Sequence, residues 1–138
     1  MRPFVKQFLN DISSKFSIVI YSNFQETTIK KIISYIDENA INLIDCILDS
    51  NYIIEYIFPK RIKSLRIFQK WRALKDILAI NCSTYSFSLD VLNEILIKEY
   101  NGDPNDSELP KVGQLIDNLW QYEDIQKFIA LVRRGINV

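Results

Sequence analysis

The sequence predicts an α/β fold of the three-layer Rossmann-like kind, a mostly parallel sheet with helices on both faces. Two short apolar runs, the first β-branched, end in small polar residues, Ser17–Tyr21 before Ser22-Asn23 and Ile77–Ile80 before Asn81-Cys82-Ser83. Such runs read as strands buried on both faces. Segments with helical spacing alternate with them, and parallel strands need crossovers of that kind. No internal repeat, linker or low-complexity tract interrupts residues 1–138, so they read as one domain. In these folds chemistry collects beyond the C-terminal ends of the strands, which puts the two polar strand ends first among places to seek a ligand.

Each element follows from its own pattern. Phe4, Phe8, Ile12 and Phe16 recur every four residues beside Val5 and Leu9, which predicts a helix from Pro3 to Lys15. Pro3 suits its first turn. Ile29, Ile32, Ile33 and Ile36 form the apolar stripe of a second helix over Glu26–Asp37. Between Ile44 and Phe58, apolar runs alternate with Asp45, Asp49, Ser50 and Asn51, predicting one or two strands separated by a turn and ended by Pro59. Arg61–Asp76 reads as a basic linker and helix, Ile77–Ile80 as a strand and Glu94–Lys98 as another. Asn101–Asp106 is a polar loop. Leu109, Val112, Leu115, Ile116 and Leu119 mark a helix capped by Asn105 or Asp106, with Pro110 tolerated because it falls near the first turn. Ile125, Phe128, Ile129 and Val132 mark a last helix, stopped at Gly135.

Composition removes whole classes of function. There is no histidine, so Ser-His-Asp and Cys-His nucleophilic sites and His-containing zinc sites are excluded. Lys and Arg number 17 against 17 Asp and Glu, which leaves no global field to draw in a polyanion. Cys46 and Cys82 stand alone and far apart, without a disulfide or thiolate-cage pattern, and fit a reducing intracellular compartment. No stretch of about 20 apolar residues spans a membrane, and the N-terminus lacks the apolar core of a secretory signal.

Local features are weighed the same way. Seven basic residues crowd Lys60–Lys75; a nucleic-acid patch is one reading, but a solvated linker and helix is preferred, and no nucleic-acid partner is expected. Asn101–Asp106 fails as a calcium loop, because Asp106 stands where glycine is needed and no Glu occupies the twelfth position. Trp71 and Trp120 form no stacking platform and read as core or interface anchors.

Several of these segments together resemble one family. Arg2-Pro3 with Phe8-Leu9, then Phe16–Tyr21 with Ser22, resembles the opening of the NLI-interacting-factor-like phosphatases of the haloacid-dehalogenase superfamily. There an Arg-Pro-Gly-x5-Leu helix precedes a strand ending in Phe-Thr-Ala. Asn81-Cys82-Ser83 stands where that family has Asp-Asn-Ser-Pro, and Asn105–Leu109 is similar to its Asn-Asp-Thr-Glu-Leu helix start. The small phosphatases of the RNA polymerase II C-terminal domain belong here. A mitochondrial inner-membrane import receptor shares the domain without being a phosphatase, and its Asp-Cys is closer to Asn81-Cys82.

The resemblance implies a phosphate site with gaps. Ser22, followed by Asn23, falls on the hydroxyl position, and Lys63 on the lysine that holds phosphate. Asn81 replaces the magnesium-binding aspartate and Cys82 the asparagine, and a thiol is a poor ligand for magnesium. No Asp-x-Asp occurs in the 138 residues, so the nucleophile of the family's Asp-x-Asp-x-Thr strand is expected to be absent and the chain to lack activity and cofactor. A sheet without that central strand leaves unpaired backbone groups worth about 1 to 3 kcal/mol each when desolvated. Either a partner chain donates a strand or the flanking strands pair directly. The expected role is therefore a noncatalytic, protein-binding subunit of a larger complex, mitochondrial or nuclear and cytoplasmic. The second expectation is the C-terminal part of an aspartate-based, magnesium-dependent protein Ser/Thr phosphatase completed by a strand from elsewhere.

Overall fold

The computed structural model describes residues 1–57, 60–83 and 89–137, with the side chains of all of these except 54–61 and Trp120. The elements run in the order α1 (Val5–Ser13), β1 (Val19–Tyr21), α2 (Glu26–Ile36), β2 (Cys46–Leu48), β3 (Ile54–Ile57), β4 (Lys60–Ile62), β5 (Ala79–Asn81), β6 (Glu94–Leu96), α3 (Glu108–Asp117) and α4 (Ile125–Arg133), with helices and strands alternating only as far as β2. Among the described residues the strands form three pairs, β1–β2 and β5–β6 parallel and β3–β4 antiparallel. The chain divides into two compact units, Met1–Ile53 with Tyr100–Gly113, and Ile54–Glu99 with Gln114–Val138.

In the first unit the α2 stripe does the burying. Ile29 and Ile33 are buried together with Ala40, and Ile20, Ile36, Ile41, Ile44 and Ile47 close around them. Each such side chain is worth about 1.5 to 3 kcal/mol of transfer free energy. The β1–β2 ladder starts with a local exchange: the Ile18 amide donates to Asp45 Oδ2 at 2.7 Å, and the Asp45 amide donates to the Ile18 carbonyl at 2.9 Å. It ends where the Ser22 amide donates to the Leu48 carbonyl at 2.9 Å. Lys6 pairs with Asp37, tying α1 to the end of α2. Arg2 Nε lies 3.3 Å from Asp106 Oδ1 and its guanidinium sits 5.6 Å from the Tyr100 ring centre, holding residues 100–113 to the N-terminus. Asp106 also accepts from the Glu108 amide at 3.1 Å, so the aspartate expected to cap α3 does sit at its start.

The second unit is organised around α4. Asp124 caps this helix by accepting from the Gln126 and Lys127 amides, and Phe128 and Ile129 are 0% and 1% exposed. Tyr122 meets Phe128 edge to face at 5.1 Å. Asn93, also buried, donates to the Leu74 carbonyl at 2.5 Å and the Ile77 carbonyl at 2.7 Å, and accepts from Gln126 Nε2 at 2.9 Å. Buried Asp90 accepts from the Leu65 amide at 2.8 Å.

Two expectations need correction. Arg61–Asp76 is no helix: it opens with β4 and continues as 3₁₀ turns over Leu65–Phe68 and Leu74–Asp76. Ile62, Leu65 and Phe68 are spaced by three, the 3₁₀ repeat, and β3 supplies ladder partners at the start. The Ser17–Tyr21 strand is shorter than predicted and not buried on both faces. Val19 is 37% exposed, and Ile20 and Tyr21 are half-buried, because β1 has β2 as its one ladder partner among the described residues. The end of the Ile44–Phe58 segment, Phe58 and Pro59, lies outside the described residues.

Truncating the best-buried ring should show where stability resides. Phe128→Ala is expected to cost about 3 to 5 kcal/mol, whereas Tyr35→Ala, on the exposed face of α2, stays within about 0.5 kcal/mol. Urea unfolding curves measure both, and equal losses would contradict this core.

Candidate phosphate-handling site

The two polar strand ends fall in different units. In the first, Ser22 is half-buried at the C-terminal end of β1, where its Oγ accepts from the Phe24 amide at 3.2 Å. That bond turns the chain out of the strand and towards α2. It uses the hydroxyl as an acceptor and leaves its proton available to donate. Asn23 is exposed beside it. The neighbouring loop after β2 is fixed by Asp49, which accepts from the Asn51 amide and side chain, and by the Ser50 amide donating to the Phe24 carbonyl at 3.1 Å. The Tyr21 hydroxyl donates to the Tyr52 carbonyl at 2.6 Å.

In the second unit Lys63, Asn81 and Cys82 come together with a residue that motif reasoning did not single out. Lys63 follows β4 and is half-buried; Asn81 ends β5 and the exposed Cys82 follows it. Asn81 Nδ2 donates to the Ser83 carbonyl at 2.7 Å and to Glu94 Oε1 at 3.2 Å. Glu94 opens β6 and is only 5% exposed, opposite Ala79 in the parallel register. Burial pushes the Lys63 ammonium below its ordinary range, and the facing Cys82 and Glu94 pull part of the way back. A glutamate heading the otherwise apolar run Ile95–Ile97 was the available signal for Glu94, because buried carboxylates are retained where they have partners.

The donor set does not suit magnesium. That ion needs oxygen ligands in a near-ideal octahedron. Here the one carboxylate already accepts from Asn81 and faces a lysine, the neighbouring sulfur is a soft ligand, and Asn81 presents amide protons where the family resemblance calls for a carboxylate. What the cluster can do is hold an amine beside a buried carboxyl group and fix the turn after β5.

Helices together with two short parallel strand pairs, β1 and β5 each ending in polar residues, are those of a haloacid-dehalogenase-type α/β domain. The chain belongs to the NLI interacting factor-like phosphatase family, whose model matches residues 1–126. It is 31% identical over 128 residues to CTD small phosphatase-like protein 2 of Dictyostelium discoideum, covering 93% of this chain and 22% of that protein. The structure is similar to that of the fission yeast RNA polymerase II CTD phosphatase Fcp1 bound to beryllium fluoride, with a TM-score of 0.58 and 17% identity over 98% of this chain and 39% of the other. The chain thus spans about a fifth of the curated relative and two fifths of the solved structure.

The Lys63 environment has a testable sign. Glu94 raises the lysine's affinity for its proton, so Glu94→Gln should move the Lys63 titration further down, as read by NMR of the Nζ-labelled side chain. Because the folded state holds this proton less tightly than the unfolded chain, the penalty is fully present below the folded value and relieved as pH rises through the unfolded one. The stability of the wild type should therefore gain on that of Lys63→Met as pH rises towards the ordinary lysine range. A difference flat with pH would show that Lys63 is solvated.

Proposed function

We propose that this domain is a noncatalytic member of its family and works as a protein-binding or assembly module within a larger complex. The observation that carries this reading is the wiring of Asn81. By the resemblance it takes the family's aspartate position, and its amide is committed to Ser83 and Glu94 as a structural donor. A carboxylate there could hold a metal, whereas an amide pinned by a buried glutamate holds a turn. Cys82 beside it replaces a hard oxygen with sulfur. The exposed Val19 in β1, a strand paired with β2 alone among the described residues, suits a partner chain that adds a strand or covers the sheet.

A second reading keeps part of the chemistry. Ser22 retains a hydroxyl at the strand end, and Lys63 retains an amine acidified by burial, both types able to hold a phosphate oxygen. On that reading the domain is the C-terminal part of an aspartate-based protein Ser/Thr phosphatase, with its carboxylates and magnesium site drawn from outside these 138 residues.

Hydrolysis of p-nitrophenyl phosphate with magnesium, by the chain alone and with a peptide bearing the family's Asp-x-Asp-x-Thr strand, separates the two. The module reading expects no turnover above the protein-free rate in either case. Turnover lost in Ser22→Ala or Lys63→Ala would overturn it in favour of the phosphatase.

A further inference from the structure

Charge in this neutral chain is strongly segregated. Between Tyr56 and Lys75 there is no acidic residue, and seven of the 17 Lys and Arg lie there, so the remaining sequence carries 17 acidic against 10 basic residues. Within the second unit, the segment is anchored from beneath by buried Ser64 and Leu65. It then turns back on itself, with the Trp71 and Arg72 amides donating to the Phe68 carbonyl at 2.8 and 2.9 Å. Arg66, Lys70, Arg72 and Lys75 are all exposed, and none of the ion pairs among described residues involves them. In their midst Trp71 is 72% exposed. Of the two roles expected for this side chain, core or interface anchor, the first is thereby removed.

We propose that this surface docks an acidic segment of a partner protein, with Trp71 as the anchor and Lys70 and Arg72 as its flanking charges. Tryptophan and arginine dominate the energetics of protein interfaces because a broad ring excludes water around a charged contact. Leaving such a ring in water forgoes the burial of about 150 to 250 Å². A short acidic segment carrying an apolar residue recovers that area and neutralises the four unpaired cations together. Single-stranded nucleic acid fits less well. Its binding surfaces stack successive bases on several rings, and Trp71 is the one exposed aromatic side chain among the described residues of this segment. Arg66, Lys70, Trp71, Arg72 and Lys75 are not members of the strand-end cluster, so this inference holds whichever reading of that cluster is right.

The test is fluorescence anisotropy with three labelled probes of about ten units: a peptide alternating Asp and Glu around a central Leu-Phe, its Asn and Gln counterpart, and oligo-dT. The acidic peptide should bind the intact chain, weaken steeply with salt, and quench tryptophan emission. Lys70→Gln/Arg72→Gln and, separately, Trp71→Ala should each weaken it about tenfold or more, while their unfolding curves match the wild type because these side chains are exposed. Equal binding of the neutral peptide, tighter binding of oligo-dT, undetectable binding of the acidic peptide at low salt, or affinity unchanged in both variants would overturn the proposal.

Discussion

The second unit depends on one buried amide. Asn93 has no access to water, and each of its side-chain bonds reaches a different part of the chain: the 3₁₀ turn at Leu74, the entry to β5 at Ile77, and α4 through Gln126. A buried amide that lost these partners would forfeit about 1 to 3 kcal/mol per unmet group. The network therefore permits one arrangement of those three segments and penalises slippage. Its neighbour Glu94 begins β6 and meets Asn81. One dipeptide thus fixes both the internal packing of this unit and the shape of the strand end where chemistry would be sought.

That coupling explains the electrostatics of the Lys63 cluster. Glu94 is buried, so it needs a donor and a counter-charge; Asn81 supplies the first and Lys63 the second. In the first unit the corresponding strand end is tuned differently. Ser22 is held by a backbone amide rather than by charge, so its hydroxyl stays neutral and adaptable.

The helices were legible because their apolar positions repeat. α1, α2 and α4 fall within two residues of their predicted bounds, and Gly135 ends the last with a left-handed φ of 70°. The strands were legible as locations but not as ladders, since three-residue pairs carry too little alternation to declare a partner or a buried face. β4 was missed because Lys60-Arg61-Ile62 reads as a polar approach to a helix, whereas pairing with β3, which ends three residues earlier, gives it strand geometry. Family membership was legible from motif order. The roles of Asn93, Glu94 and Asp90 were not, because a polar residue in an apolar segment signals burial only when its partners are known, and these come from 16 to 33 residues away for Asn93 alone.

Fold and chemistry therefore draw on different residues in this chain. Phe128, Ile129 and Asn93 hold the second unit, and Ile29, Ile33 and the Ile18–Asp45 exchange hold the first. Ser22 and Cys82 contribute one local turn bond and an exposed thiol, so substitutions at the strand ends cost the fold little. An aspartate at position 81 would instead place a second carboxylate against buried Glu94, and such a pair stays charged only with added cations. Where a metal supplies that charge the pair is tolerable; where a lysine faces Glu94, as Lys63 does, an amide at position 81 adds no second negative charge. The Asn81–Glu94–Lys63 cluster is thus internally balanced as it stands, an amide donor and an amine meeting one buried carboxylate.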